Sequence, residues 1–394
     1  MLNMKTKYPL ATSTWDQDEI EAMLDVIASG NYTMGKYVQK YEEKFAAYFG
    51  SRYAIMSNSG SSANLLMIAA LFFKKNNPIK RGDEVIVPAV SWSTTYMPLQ
   101  QYGLKVKFVD IDCKTLNFDL EQLESAISDK TKIIIAVNLL GNPNDFEIIK
   151  KIIKLKDIIL LEDNCESMGA QYRGKMTGSI GLMGTFSTFF SHHLSTMEGG
   201  MTLTNNEELY HIMLSLRSHG WTRHLPVRNK VTGIKSNDEF EESYKFVLPG
   251  YNLRPLELTG AIGLKQLNKL QSFIAFRRSN AAIFTELFNN NSYFFMQKEL
   301  GVSSWFGFSL IINPESGLER TLVLEKLKKV GIETRPIVAG NFAKNCAVNY
   351  FNYEIHNSLK NADIVDKFGF FVGNHHFDLS EQIHMLYKVL HGLC

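Results

Sequence analysis

Apolar residues at Ile20, Met23, Leu24 and Ile27 recur at helical spacing after Ser13 and Thr14, and Gly30 supplies a stop, so the chain opens on an amphipathic helix. A second helix is predicted over 37–49. Beyond it, short apolar runs alternate with longer amphipathic stretches, the rhythm of βα units that build a largely parallel sheet. Strands are predicted at 53–57, 84–88, 106–110, 133–138, 158–162 and 201–204. Residues 217–241 carry few apolar side chains and read as a long loop. Helical pattern resumes over 256–284, where the chain passes into a smaller C-terminal unit. The fold class expected is α/β, with a large domain over 1–255 and a smaller α/β domain over 256–394.

A length of 394 residues suits two or three globular domains, and 45% hydrophobic with 21% charged residues argues against a disordered or fibrous chain. Forty-two Lys and Arg stand against 40 Asp and Glu, a net charge of +2, so no global field draws the protein to nucleic acid or lipid, and any anion must be bound locally. The N-terminal stretch has no apolar core of the signal-peptide kind, and no run reaches the roughly 18 apolar residues of a membrane span. A cytoplasmic location is expected. Cys113, Cys165, Cys346 and Cys394 form no CxxC or Cys/His spacing, which predicts free thiols and no zinc or iron-sulfur site.

Open α/β sheets bind ligands beyond the carboxyl ends of their strands, so residues just after the predicted strands are the first candidates. Gly60, Ser61 and Ser62 follow the first strand and begin an apolar helix, whose free N–H groups suit a phosphate and equally suit a cap for that helix alone. Neither GxGxxG nor GxxxxGK[ST] occurs, which argues against a dinucleotide or nucleoside triphosphate. Asp163 ends an apolar run, where a carboxylate either meets a cation, such as a protonated pyridine nitrogen, or serves the structure. Trp92 stands beyond another strand end, as a stacking platform or as packing. His192 and His193 lie in a small-residue and aromatic stretch that ends in Glu-Gly-Gly, a poor metal site.

The order of these features, from phosphate turn through aromatic and strand-end Asp to a Ser-containing stretch, resembles the sugar aminotransferases that act on nucleotide-linked keto sugars. These are a branch of the fold-type I pyridoxal phosphate (PLP) enzymes. Glu162-Asp-Asn-Cys-Glu-Ser167 is similar to the family's Glu-Asp-Ala-Ala-Gln-Ala, and Gly250-Tyr-Asn-Leu-Arg254 to its Gly-Tyr-Asn-x-Arg. Two departures stand out. His192 occupies the place of the Schiff-base lysine, and Glu166 that of a glutamine.

The resemblance implies a large domain of the aspartate aminotransferase kind and a cofactor held without a covalent link. Asp163 would then pair with the pyridine nitrogen and Trp92 would stack on the ring. Gly60, Ser61, Ser62 and Ser187 would bind the phosphate, with Asn252 reaching it from the second subunit of a homodimer. Glu166 would contact the ring hydroxyl or the reacting region, and His219 and Arg223 would serve the substrate. The pair of departures points to the dehydrating members of the family, active in deoxysugar biosynthesis of the colitose type. L-glutamate would convert PLP to pyridoxamine phosphate, His192 would act as base, and the C3 hydroxyl of GDP-4-keto-6-deoxy-D-mannose would leave. Cys346 and Cys394, the only cysteines after His192, are too few for the iron-sulfur cluster of one such branch, so no reductase partner is expected. The competing expectations are a 4-aminotransferase using Lys175 or Lys265, and a catalytically silent regulator.

Overall fold

The computed structural model describes residues 6–393; Cys394 and the first five residues of the stretch read for a leader lie outside the described residues. In chain order the strands begin with β1 (Tyr53–Ser57), β2 (Glu84–Pro88), β3 (Lys105–Val109), β4 (Thr131–Val137) and β5 (Ile159–Asp163). A two-residue pair, β6 (Gln171–Tyr172) and β7 (Lys175–Met176), precedes β8 (Met183–Ser187) and β9 (Gly200–Thr204). A second such pair, β10 (Arg228–Asn229) and β11 (Gly233–Ile234), is followed by β12 (Phe294–Met296), β13 (Gly307–Ile312), β14 (Tyr353–Ile355) and β15 (Gly369–Gly373).

Eight of these form one sheet in the order β1-β9-β8-β5-β4-β2-β3-β14, parallel from β8 to β14, with β9 antiparallel to both neighbours. Helices cover both faces, which is why β2 is buried along its whole length and reads as a near-continuous apolar run. The edge strand β14 comes from the C-terminal side of the expected 255/256 boundary. Lys107 pins it, bonding Glu84 and Glu354 at 2.9 Å each and donating to the Ala126 carbonyl at 3.0 Å.

The helix Glu257–Phe288 spans 32 residues, about 48 Å at 1.5 Å per residue. Its Gly260 and Gly263 let the helix Lys36–Phe49 approach closely; a Cβ at these positions would fall 2.6 Å from Val38 N and 2.4 Å from Tyr41 Cε1. Beyond it, the antiparallel sheet β12-β13-β15 packs with the helices Arg320–Lys329 and Ser380–His391 around Phe284, Phe288 and Phe308.

Three details differ from the sequence reading. The opening helix runs Gln17–Ser29 and is capped by Asp16 in a capping box with Glu19, so Ser13 and Thr14 precede the cap. Its buried face is Glu19, Ala22 and Val26, while Ile20, Leu24 and Ile27 are 43%, 57% and 53% exposed. The stretch expected as a loop contains the β10–β11 pair and the helix Glu239–Ser243, and Arg217 ends the preceding helix Glu207–Arg217. No helix among the described residues is long and apolar enough to cross a membrane.

Candidate active site

A cavity of about 520 Å³ opens at the carboxyl ends of the main strands. Gly60 and Ser61 line it after β1, Trp92 after β2, Asn138 after β4, and Ser187 at the end of β8. Asp163, Cys165 and Glu166 line it at the end of β5, and the β8–β9 connection adds His192. Phe306, Arg335, Val338 and Phe371 close it from the C-terminal half, and Leu10 from the N-terminal segment. This is the strand-end crevice in which open α/β sheets place ligands.

Asp163 is 5% exposed and has no cationic partner among the described residues. Three donors hold it: Asn64 Nδ2 at 2.9 Å and Thr95 Oγ1 at 2.7 Å on Oδ2, and the Cys165 N–H at 3.2 Å on Oδ1. Thr185 in turn donates to Asn64 Oδ1 at 2.6 Å, which fixes the amide with its NH₂ toward the carboxylate. A buried carboxylate fastened this way and facing a cavity is a ready partner for a cation.

At the start of the helix Gly60–Leu71, Ser59 caps by accepting the Ser62 N–H at 3.0 Å and donating to Ser62 Oγ. Ser62 is thereby engaged and is not in the cavity lining, whereas Gly60 and Ser61 are. A Cβ at Gly60 would sit 2.6 Å from Ser187 Cβ, so glycine is what lets the helix N-terminus and the end of β8 meet in one cradle. Trp92 is 58% exposed on the cavity wall.

His192 is half-buried between Phe189 and Phe306, edge-on to Phe306 at 5.1 Å. Its Nδ1 lies 2.8 Å from the Cys165 carbonyl oxygen. A carbonyl only accepts, so Nδ1 carries the proton and Nε2 is left as the basic nitrogen. Burial pushes the imidazole down to about 4, helped by the Arg277 charge and opposed by the Cys165 hydrogen bond and Asp163. Glu166 accepts the Leu140 N–H at 3.1 Å; burial raises its carboxyl to about 7, that hydrogen bond opposes the rise and the Asp163 charge adds to it. Leu140 donates from a left-handed conformation, φ 51°, in the turn that follows β4.

His219, Arg223 and Asn252 lie elsewhere. His219 sits at φ 61°, donates its N–H to the Tyr251 carbonyl at 2.6 Å and meets Trp221 edge-on at 5.0 Å. Arg223 lies over the same indole at 4.7 Å, and Asn252 Oδ1 accepts from Arg254 Nε at 3.0 Å. His219 and Arg223 thus share the Trp221 indole, and none of the three residues lines the cavity of the same chain. Lys175 is exposed on β7 and Lys265 lies within the long helix; among the described residues no lysine lines the cavity.

Asn64, Thr95, Phe306, Arg335 and Leu10 escaped the sequence reading. A polar Asn in the apolar run Gly60–Leu71 was a usable signal for the first. Nothing local marks the rest, because distant segments carry them to the site.

The fold and the cavity define a member of the sugar aminotransferase class: the chain belongs to the DegT/DnrJ/EryC1/StrS aminotransferase family, matched over residues 13–367. Within it, the chain is 61% identical over 391 residues to the GDP-4-keto-6-deoxy-D-mannose 3-dehydratase of Yersinia pseudotuberculosis, covering 99% of this chain and 100% of that protein. Two solved structures of GDP-4-keto-6-deoxymannose-3-dehydratase superpose with a TM-score of 0.97 at 60% identity, each covering 98% of this chain and 100% of its own. One is a histidine-to-asparagine mutant with bound GDP-perosamine and the other holds a trapped PLP-glutamate geminal diamine.

Proposed function

We propose that this chain is a PLP-dependent 3-dehydratase. It converts GDP-4-keto-6-deoxy-D-mannose and L-glutamate to GDP-4-keto-3,6-dideoxy-D-mannose, 2-oxoglutarate and ammonia. The observation that carries this reading is His192 in the cavity wall with no lysine beside it among the described residues, in a chain 61% identical to a dehydratase of that substrate.

The residues present fit the cofactor. Asp163, buried and without a cation, suits the protonated ring nitrogen. Trp92 offers a flat face, and Gly60, Ser61 and Ser187 form the cradle for the phosphate. Ser62 serves that cradle through the cap that orders it. When bound, the cofactor supplies the amine taken from glutamate and the conjugated path by which the C3 hydroxyl is expelled.

Every other task falls to the chain. Asp163 holds a proton on the ring nitrogen, with Asn64 and Thr95 fixing the carboxylate. In this reading His192 Nε2, freed by the Nδ1 hydrogen bond, takes a proton at the reacting carbon and returns one to the departing oxygen. Glu166, protonated near neutrality, offers an O–H donor where a glutamine would offer an N–H. With no amine side chain among the described residues of the wall to displace product, water completes the turnover and ammonia leaves.

The same reading includes a homodimer with shared active sites, in which His219, Arg223 and Asn252 would serve the cavity of the second copy; the exposed apolar stripe Ile20, Leu24 and Ile27 supports it. Borohydride treatment of the PLP-loaded protein tests the noncovalent reading. The cofactor is expected to dissociate fully on denaturation. Retention on Lys175 or Lys265 would instead favour a 4-aminotransferase.

A further inference from the structure

Arg277 is 3% exposed within the helix Glu257–Phe288 and forms no ion pair with any described carboxylate. Its Nη1 donates to the carbonyls of Phe306 at 2.9 Å and Asn374 at 2.6 Å, and its Nε has no partner. A guanidinium buried without a counter-charge is costly, and its surroundings are built to keep it in place. Asn374 donates back to the Arg277 and Trp305 carbonyls at 3.0 and 2.9 Å, and Asn280 donates to Asn374 Oδ1 at 3.2 Å. The Phe306 carbonyl takes the guanidinium while the Phe306 ring lies against both His192 and His193, at 5.1 and 5.7 Å between centroids. One residue therefore separates an unneutralised positive charge from the imidazole on the cavity wall.

We propose that Arg277 is a positioning residue for the base: its buried, unpaired guanidinium, one residue behind the imidazole, adds to burial in disfavouring a second proton on His192 and so helps keep Nε2 free to accept one. The proposal rests on the reading of His192 as the base. The sign follows from the groups that face it. The loss of water on burial disfavours a second proton most, and the positive charge behind the ring acts the same way. The Cys165 carbonyl and Asp163, at the end of β5, act in the opposite direction. Glu166 and Glu198 line the same cavity, as does the Arg335 guanidinium, while His193 is itself driven neutral, first by burial and then by Arg277. The same charge also faces His375 and His376. Arg277 touches neither the cavity nor any reacting atom. Its place is electrostatic.

The test is a ¹⁵N-histidine NMR titration of the full-length protein as isolated, with the His192 signal assigned by its loss in His192→Asn. In the unsubstituted protein His192 should stay neutral, in the Nδ1–H form, well below the ordinary histidine range. Arg277→Gln should raise its midpoint by about one pH unit, whereas Arg277→Lys, which keeps the charge, should leave it in place. Equal midpoints in Arg277→Gln and the unsubstituted protein overturn the proposal, as does an equal rise in Arg277→Lys. If Arg277→Gln does not fold, Arg277→Met, which keeps the aliphatic packing and removes the charge, takes its place: a raised His192 midpoint is the expected result, and an unchanged one overturns the proposal. Product analysis of the same unsubstituted protein reports separately on the dehydratase reading, so the two can fail independently.

Discussion

At the residue scale the proposed reaction would turn on two departures from the family's side-chain chemistry, His192 and Glu166. Histidine at 192 would provide a base and carries no primary amine. Replacing it by Asn keeps the size near that of the ring and removes the base, so turnover measured by ammonia release should fall by about 10²–10⁴-fold. Glu166 leaves a signature in stability. Its carboxyl rises from an ordinary 4.5 to about 7 on folding, so between these values the folded state holds a proton that the unfolded chain has lost. Stability from this group is present below pH 4.5 and is lost as pH rises through about 7. Thermal melts of Glu166→Gln should lack that part of the decline, and identical pH dependence in both proteins would contradict the raised carboxyl. Both residues were legible in the sequence as departures from a family pattern. The partners that set their behaviour, Arg277, Leu140 and the Cys165 carbonyl, were not, because they act through main-chain contacts or from 85 positions away.

At the scale of elements, β1 to β5 and β9 were legible as short runs between turn signals, whereas β8, β14 and the C-terminal strands β12, β13 and β15 were not placed. The strands β1 and β2 fall where the apolar runs begin and end, since both are buried against helices. The strand β8 reads Met-Gly-Thr-Phe-Ser, yet every residue of it is buried. Its glycine is required, because a Cβ at Gly184 would fall 2.1 Å from the Gly178 carbonyl oxygen. The edge strand β14 was equally invisible: its pairing depends on Lys107 meeting Glu84 and Glu354, far apart in the sequence. Lys107→Ala should cost about 3–5 kcal/mol in denaturant unfolding by leaving Glu84 buried and unpaired. Gly60→Ala, which drives a methyl toward Ser187, should cost about 1–3 kcal/mol and weaken PLP binding, read by equilibrium dialysis.

At the scale of the whole molecule, the active site is a crevice closed by three separate stretches of chain: the strand ends of the main sheet, the C-terminal half with Phe306 and Arg335, and the N-terminal segment with Leu10. The proposed second copy would add His219, Arg223 and Asn252. Mixing two inactive homodimers, His192→Asn and Asn252→Ala, under exchange should then restore about a quarter of the activity, because hybrids regain one intact site. No recovery would place Asn252 outside a shared site. The most direct measurement is a mass spectrum of the nucleotide sugar after incubation with PLP, L-glutamate and GDP-4-keto-6-deoxy-D-mannose, with ammonia assayed alongside. Dehydration gives a product lighter by one oxygen and ammonia in equal amount. A product in which the ketone has become an amine, with no ammonia released, would contradict it.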